Sequence, residues 1–414
     1  MRRSTILALL LLVIIAQPCL SGWDVTRVHP VDADWSQLES ISGRYASGRI
    51  EYTNGPPGVL AQAALYDVKT NTWSALDARD TYAKANSTQW AAGYLYTDDG
   101  LGNYRFDATA WPIGGGPARI LTPTGSIGSD AFAVSGSMVA GWSESAGKRH
   151  AYVWDLVTGQ QYDLHPAAAV SGSSVSGLDG NRAAGTLGLG GGVTHAVLWN
   201  DVATDHYVDL NPPAATGGST AWDVSGNSQA GKVDFLGAAL WHGSAESYVR
   251  LHPAHIANAG NSVAYAVDRH VQAGFVEYDL GPGHFLRFES HATVWFGTAE
   301  SMFDLHSLLD PAYYRGSVAN DVWVDEIGNI YVVGYGGVVN GGPAEALLWT
   351  YLVPEPGPLA ALALGLAGLP VWLRRMIACK LHLRAKRNAC KLNLPSFYPA
   401  GMANLRQRVG LRQA

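Results

Sequence analysis

DAFAVSGSMVAGWSESAGKRHAYVWDLVTGQQYDLHP, residues Asp130–Pro166, decides the fold. Ala131–Ser135 is small and β-prone, and Gly136 ends it. Met138–Trp142 is a second apolar run, followed by the turn-rich segment Ser143–Lys148. His150–Trp154 is a third run. Gln161–Leu164 is a fourth, stopped by His165-Pro166. Short runs rich in Val, Tyr and Trp, bounded by Gly, Ser, Asp and Pro, signal strands. Each run is too short for a helix. The segment therefore reads as a four-stranded antiparallel meander.

The same unit recurs along the chain. Its second-strand glycine returns at Gly48, Gly93, Gly185, Gly231, Gly274 and Gly334, usually after alanine or another small residue. Its third-strand aromatic returns at Tyr66, Trp111, Trp199, Trp241, Trp295 and Trp349, so that, with Trp154, seven copies are counted. Successive aromatics lie 45, 43, 45, 42, 54 and 54 residues apart, so the last two copies carry insertions. Four strands repeating at this period indicate a propeller. One copy cannot cover both faces of its sheet, but neighbours packed around an axis can. The expected fold is an all-β, seven-bladed β-propeller over residues 22–352. The Ala-Gly pairs are expected where blades crowd near the axis and backbone approaches backbone, and the aromatics in the wider gaps further out.

The last copy, Ala319 to Trp349, lacks a fourth strand. Trp23–Pro30 looks like an orphan one, with Val28-His29-Pro30 standing where Leu164-His165-Pro166 stands. Asp24 to Val28 is therefore expected to join the blade of Trp349 and close the ring.

The flanks concern targeting. Arg2 and Arg3 precede an unbroken apolar run of 11 residues, Ile6–Ala16, with small residues near Ser21. This reads as a signal peptide over residues 1–21, too short to span a membrane. A lipoprotein reading would need Cys19 as the modified residue, and Gln17-Pro18 suits that poorly. At the other end, Val353-Pro354-Glu355-Pro356 is followed by 15 mostly apolar residues, Leu359–Leu373, and then by Arg374-Arg375. These read as a stiff extended segment, a membrane helix and a cytoplasmic anchor. A buried C-terminal helix is the plainer alternative, but the complete array leaves it nothing to pack against.

Those three parts, in that order over residues 353–375, resemble the PEP-CTERM sorting signal of Gram-negative surface proteins. The resemblance implies processing by a membrane-embedded exosortase-type enzyme, and association with exopolysaccharide or biofilm matrix. The His-Ala-aromatic-x-Trp units separately resemble HAF-type extracellular repeats across most of residues 40–350, a family with no firm activity to lend. Unlike the usual signal, the chain continues through residues 376–414. From Arg374 onward it holds ten Lys or Arg and no acidic residue. This basic tail is expected to be disordered. Cys379 and Cys390, with ten residues between them and no clustered histidine, do not make a zinc site.

Of the 28 basic residues, two lie in the signal segment and ten in the tail, leaving 16 against 34 acidic ones, a difference of −18. Such a surface argues against nucleic acid or anionic lipid as a partner of the array. After the signal segment the array holds no cysteine, so disulfides do not stabilise it.

His150, His195 and His291 recur at one repeat position and His165, His252 and His306 at another, as do Asp163, Asp209 and Asp304. Residues repeated blade after blade are expected to serve the blade, by bonding a turn. Function should lie in what does not repeat. The insertion Val276–Ser290 carries Glu277, Asp279, His284 and Glu289, and Asp98, Asp99 and Asp107 cluster in the second copy. Either group could hold a cation or perform acid/base chemistry, and solvated loop charges explain both equally well. Gly188–Gly192 lacks the helix and acidic partner of a dinucleotide site. No cofactor, metal or catalytic set is legible. The preferred expectation is a non-catalytic exported binding module of the cell surface or matrix, not an enzyme. The alternative is a propeller hydrolase or lyase acting on extracellular polysaccharide.

Overall fold

The computed structural model describes residues 22–53, 61–98, 104–204, 206–282 and 287–353. The signal segment, His284, Asp99, Pro354, Glu355, Pro356, Arg374, Arg375 and the basic tail lie outside them. Among the described residues no helix is long and apolar enough to cross a membrane.

The described residues form seven four-stranded antiparallel sheets, arranged as a seven-bladed propeller. The first strands of blades 1–7 are Trp35–Ser42, Thr81–Asn86, Gly128–Ser135, Gly172–Asp179, Ser219–Ser225, Ala259–Asp268 and Tyr314–Val324. They touch one another around the axis. In blades 1–6 the strands follow in chain order from the axis outwards. In blade 7 the outermost strand is Trp23–Arg27, which pairs with Ala344–Tyr351; Val25 stands opposite Trp349.

Two repeated contacts join the blades. The third-strand aromatics, Tyr66 and Trp111 through Trp349, are all at most 2% exposed. Each packs against small side chains of the preceding blade. Trp154 meets Ala108 and Ala110, Trp349 meets Ala292, and Tyr66 meets Ala346 of blade 7. A large ring in an alanine-lined slot removes much apolar area from water at each junction. The second contact is polar. A first-strand hydroxyl accepts the backbone N–H of that alanine row in the preceding blade. The pairs include Ala151 to Ser173 at 2.8 Å, Ala292 to Ser317 at 3.0 Å and Ala346 to Ser36 at 2.9 Å. These serines are buried, so each bond satisfies a donor that water cannot reach.

The close backbone approach expected at the repeated glycine is present, but it is to the first strand of its own blade rather than to a neighbouring blade. A Cβ on Gly141 would stand 1.9 Å from the carbonyl oxygen of Asp130, and on Gly93 1.8 Å from that of Tyr82. At this point every first strand bulges by one residue, between Ala131 and Ala133 in blade 3 and between Ala221 and Asp223 in blade 5, for example. The bulge drives the preceding carbonyl into the space a side chain would occupy.

The recurrent histidines serve the framework, but they do so across strands rather than at a turn. His150, His195 and His291 bond Asp163, Asp209 and Asp304 of the neighbouring strand at 2.7–2.8 Å. The turn is bonded by the aspartates themselves, as where Asp163 accepts the His165 N–H. His165, His252 and His306 bond the inter-blade serines Ser173, Ser262 and Ser317 at 2.8–2.9 Å.

Gly141→Ala is expected to destabilise the fold by about 3 kcal/mol, the upper end for overpacking, because the obstacle is backbone. Gly114→Ala, whose Cβ meets nothing within 4 Å, is the neutral control. Equal denaturation midpoints for the two variants would refute the assignment.

Candidate functional site

The bulges decide what faces the axis. The residue skipped by each register shift is Glu39, Lys84, Phe132, Ser176, Trp222, Tyr265 and Asn320 in blades 1 to 7. All seven line one axial cavity of about 860 Å³. The framework positions repeat, yet this one holds an acid, a lysine, three different aromatics, a serine and an amide.

Blades 1–3 supply a charged wall. Glu39 is half-buried beside the axis and accepts hydrogen bonds from the Tyr82 hydroxyl and Gln37, and from Asn320 at 3.3 Å. Burial nevertheless pushes its carboxyl upward. Lys84 pairs with Asp130 at 2.5 Å and lies 4.3 Å from the Phe132 ring centre. Blades 5 and 6 supply an aromatic wall. Trp222 and Tyr265 meet edge-on at 5.7 Å, Tyr265 lies 5.7 Å from Phe275, and Trp222 is 39% exposed.

Further carboxylates in the cavity are held by the framework. Asp223 accepts the N–H of Val267, Asp268 that of Val324, and Asp321 that of Ile41, each at 2.7–2.8 Å and each in the next blade. They tie first strand to first strand around the axis. Burial raises Asp321 from 3.8 to about 7, with the Asp268 carboxylate adding to the rise.

The acidic residues singled out from the insertion lie on strands. Glu277 belongs to Val271–Asp279 and Glu289 to Phe288–Trp295. Tyr278 stands opposite Glu289, so alternation places Glu277 and Asp279 on the other face of the sheet. Asp279 is paired with Arg287 at 2.8 Å. Asp107 is buried and receives Thr97, Thr122 and Arg105. These acids therefore do not assemble into a facing pair around one substrate.

Glu289 meets other partners. Its Oε1 lies 3.4 Å from His291 Nε2 and 3.5 Å from His306 Nε2. The two rings are 4.2 Å apart. Burial lowers His306 to about 4, with His291 beside it contributing. Burial also acts to lower His291, but the bonds to Asp304 and the charge of Glu289 outweigh it and leave that ring raised. Among the described residues this is the cluster whose nitrogen and oxygen atoms could hold a metal ion.

No protein-family model and no curated protein matches the sequence. Solved structures resemble it at low identity. The β-propeller domain of the Trilobed protease from Pyrococcus furiosus is 9% identical, over 77% of this chain and 94% of that one, with a TM-score of 0.49. Oligogalacturonate lyase from Vibrio parahaemolyticus is 9% identical, over 81% and 97%, with a TM-score of 0.48. TolB from Acinetobacter baumannii is 10% identical, over 75% and 81%, with a TM-score of 0.39.

Asp321 titrates higher in the folded chain than its ordinary value. Its protonated form is favoured on folding, so its contribution to stability is present below pH 3.8 and is lost as the pH rises towards about 7. Asp321→Asn keeps an acceptor for Ile41 and removes the proton. The difference in melting temperature between variant and parent is expected to grow in the variant's favour from pH 4 to 7. A constant difference would refute the account.

Proposed function

We propose that this chain is an exported surface or matrix protein whose propeller binds extracellular polysaccharide in the axial cavity without turning it over. The observation that supports this best is the ring of unlike side chains, one per blade, on an otherwise repeated frame. Aromatic faces at Trp222 and Tyr265 suit the apolar faces of sugar rings, and Glu39, Lys84 and Asn320 suit hydroxyls. The excess of acidic residues favours a neutral polymer over a polyanion. Catalysis is disfavoured because the axial aspartates are engaged in joining blades. Trp222→Ala and Tyr265→Ala are each expected to weaken binding to a neutral glucan at least tenfold, with unfolding unchanged. Chain cleavage of the glucan or its uronate counterpart by the parent protein would instead favour the hydrolase or lyase alternative.

We propose further that the strand Trp23–Arg27 is what closes the ring. Arg27 makes a two-pronged pair with Glu345 at 2.6 and 2.7 Å, and Tyr313 and Tyr314 donate to the same carboxylate. Trp73 of blade 1 reaches the Val28 carbonyl at 2.6 Å, bridging to the first blade. Removing residues 23–30 is expected to lower the melting temperature by more than 10 °C, roughly the effect of 7 kcal/mol in a chain of this size. An unaltered melting curve would refute the proposal.

Targeting completes the proposal. The Val353-Pro354-Glu355-Pro356 segment, the apolar stretch and Arg374-Arg375 support export, transient anchoring in the inner membrane and release by an exosortase-type enzyme. Mass spectrometry of the exported protein is expected to show residues 359–414 removed, and their retention would rule out processing there.

A further inference from the structure

Blade 6 differs from its siblings at one edge, where the strand Phe288–Trp295 meets the turn Leu305–Leu308 and the first strand of blade 7. There Glu289, His291 and His306 turn three potential ligand atoms towards one another, all within 4.8 Å.

The tautomer of His291 is dictated by its other nitrogen. Nδ1 lies 2.8 Å from Asp304 Oδ2, and a carboxylate can only accept. Nδ1 therefore carries the proton, and in the neutral ring Nε2 presents a lone pair. Asp304 is itself fixed, since its other oxygen accepts the backbone N–H groups of His306 and Ser307 at 2.9 and 3.3 Å. A carboxylate behind a ligating imidazole is the common outer support of a metal site. His306 is held in the same way, Nδ1 being 2.9 Å from the Ser317 hydroxyl oxygen, which can accept its proton.

Two of the three separations fit a tetrahedral ion. Ligands about 2.1 Å from zinc stand about 3.4 Å apart. The separations from Glu289 Oε1 to the two Nε2 atoms are 3.4 and 3.5 Å. His306 is 8% exposed and the other two side chains about 20%, so one side of the cluster is open to a water as fourth ligand.

The protein contains its own comparison. Blade 3 has the same two imidazoles, with His150 on Asp163 and His165 on Ser173 at 2.8 Å each. Two residues before His150, where blade 6 has Glu289, it has Lys148. An ammonium there repels a cation, and the two rings stack at 3.9 Å and 9° rather than splaying. The histidines alone are framework, and Glu289 converts one copy of it.

We propose that Glu289, His291 and His306 form a site for one zinc or similar first-row divalent ion, oriented by Asp304 and Ser317 and distinct from the axial cavity. Imidazole and carboxylate ligands suit such ions better than calcium or magnesium. The site is tested on full-length, tag-free protein with Co²⁺ as an optical probe and Zn²⁺ as its competitor. One equivalent of Co²⁺ with the strong visible absorption of a four-coordinate site is expected, displaced by Zn²⁺. Glu289→Gln, which leaves the histidine framework in place, should weaken binding at least tenfold. Lys148→Ala should leave stoichiometry and affinity unchanged. The proposal is overturned if the parent binds no Co²⁺, if Glu289→Gln binds as the parent does, or if Lys148→Ala abolishes binding.

Discussion

Everything in this propeller follows from a backbone collision avoided seven times. The innermost strand of each blade carries one residue too many for its partner, and the surplus pushes a carbonyl oxygen sideways. Only glycine on the second strand leaves room, as at Gly93 and Gly141. The bulge aims a side chain at the axis, which a regular strand would direct by simple alternation. The same strand, a few residues earlier, offers the hydroxyl that accepts a neighbour's N–H. One irregularity thus sets both how blades join and what they display.

The junctions divide the labour. Aromatic rings such as Trp154 and Trp295 fill alanine-lined slots, where burial supplies stabilisation but little direction. The serine hydroxyls supply direction, because each must meet a buried donor. Histidines such as His165 and His306 hold those hydroxyls from behind. The carboxyl groups of Asp223, Asp268 and Asp321 repeat the device nearer the axis, at the expense of crowding three acidic groups together.

The frame was legible because it repeats. Glycine and aromatic, each returning once per copy, disclosed the blade count, and Val28-His29-Pro30 matched Leu164-His165-Pro166 closely enough to direct attention to the first strand. A close backbone approach at the glycine was legible, but its cause was not, since a bulge leaves no residue type of its own. The axial residues were missed for the opposite reason: they share no chemistry, so a search for repeated letters passes over them. Their position was available all the same. Glu39, Lys84, Phe132, Ser176, Trp222 and Tyr265 each stand nine residues before the blade's glycine, and only the longer turn of blade 7 shifts Asn320 to fourteen. Glu289 was singled out as a loop acid. Its link to His291 and His306 depends on a strand and a turn that meet only in the fold.

The blade's architecture makes no demand on the chemistry of its surplus residue. Tryptophan, serine and lysine occupy the position with the same register and the same glycine opposite. Support and recognition are therefore separately editable. A lineage of such wheels could exchange one partner for another by altering seven scattered letters, while every hinge, rivet and spoke stayed as it was.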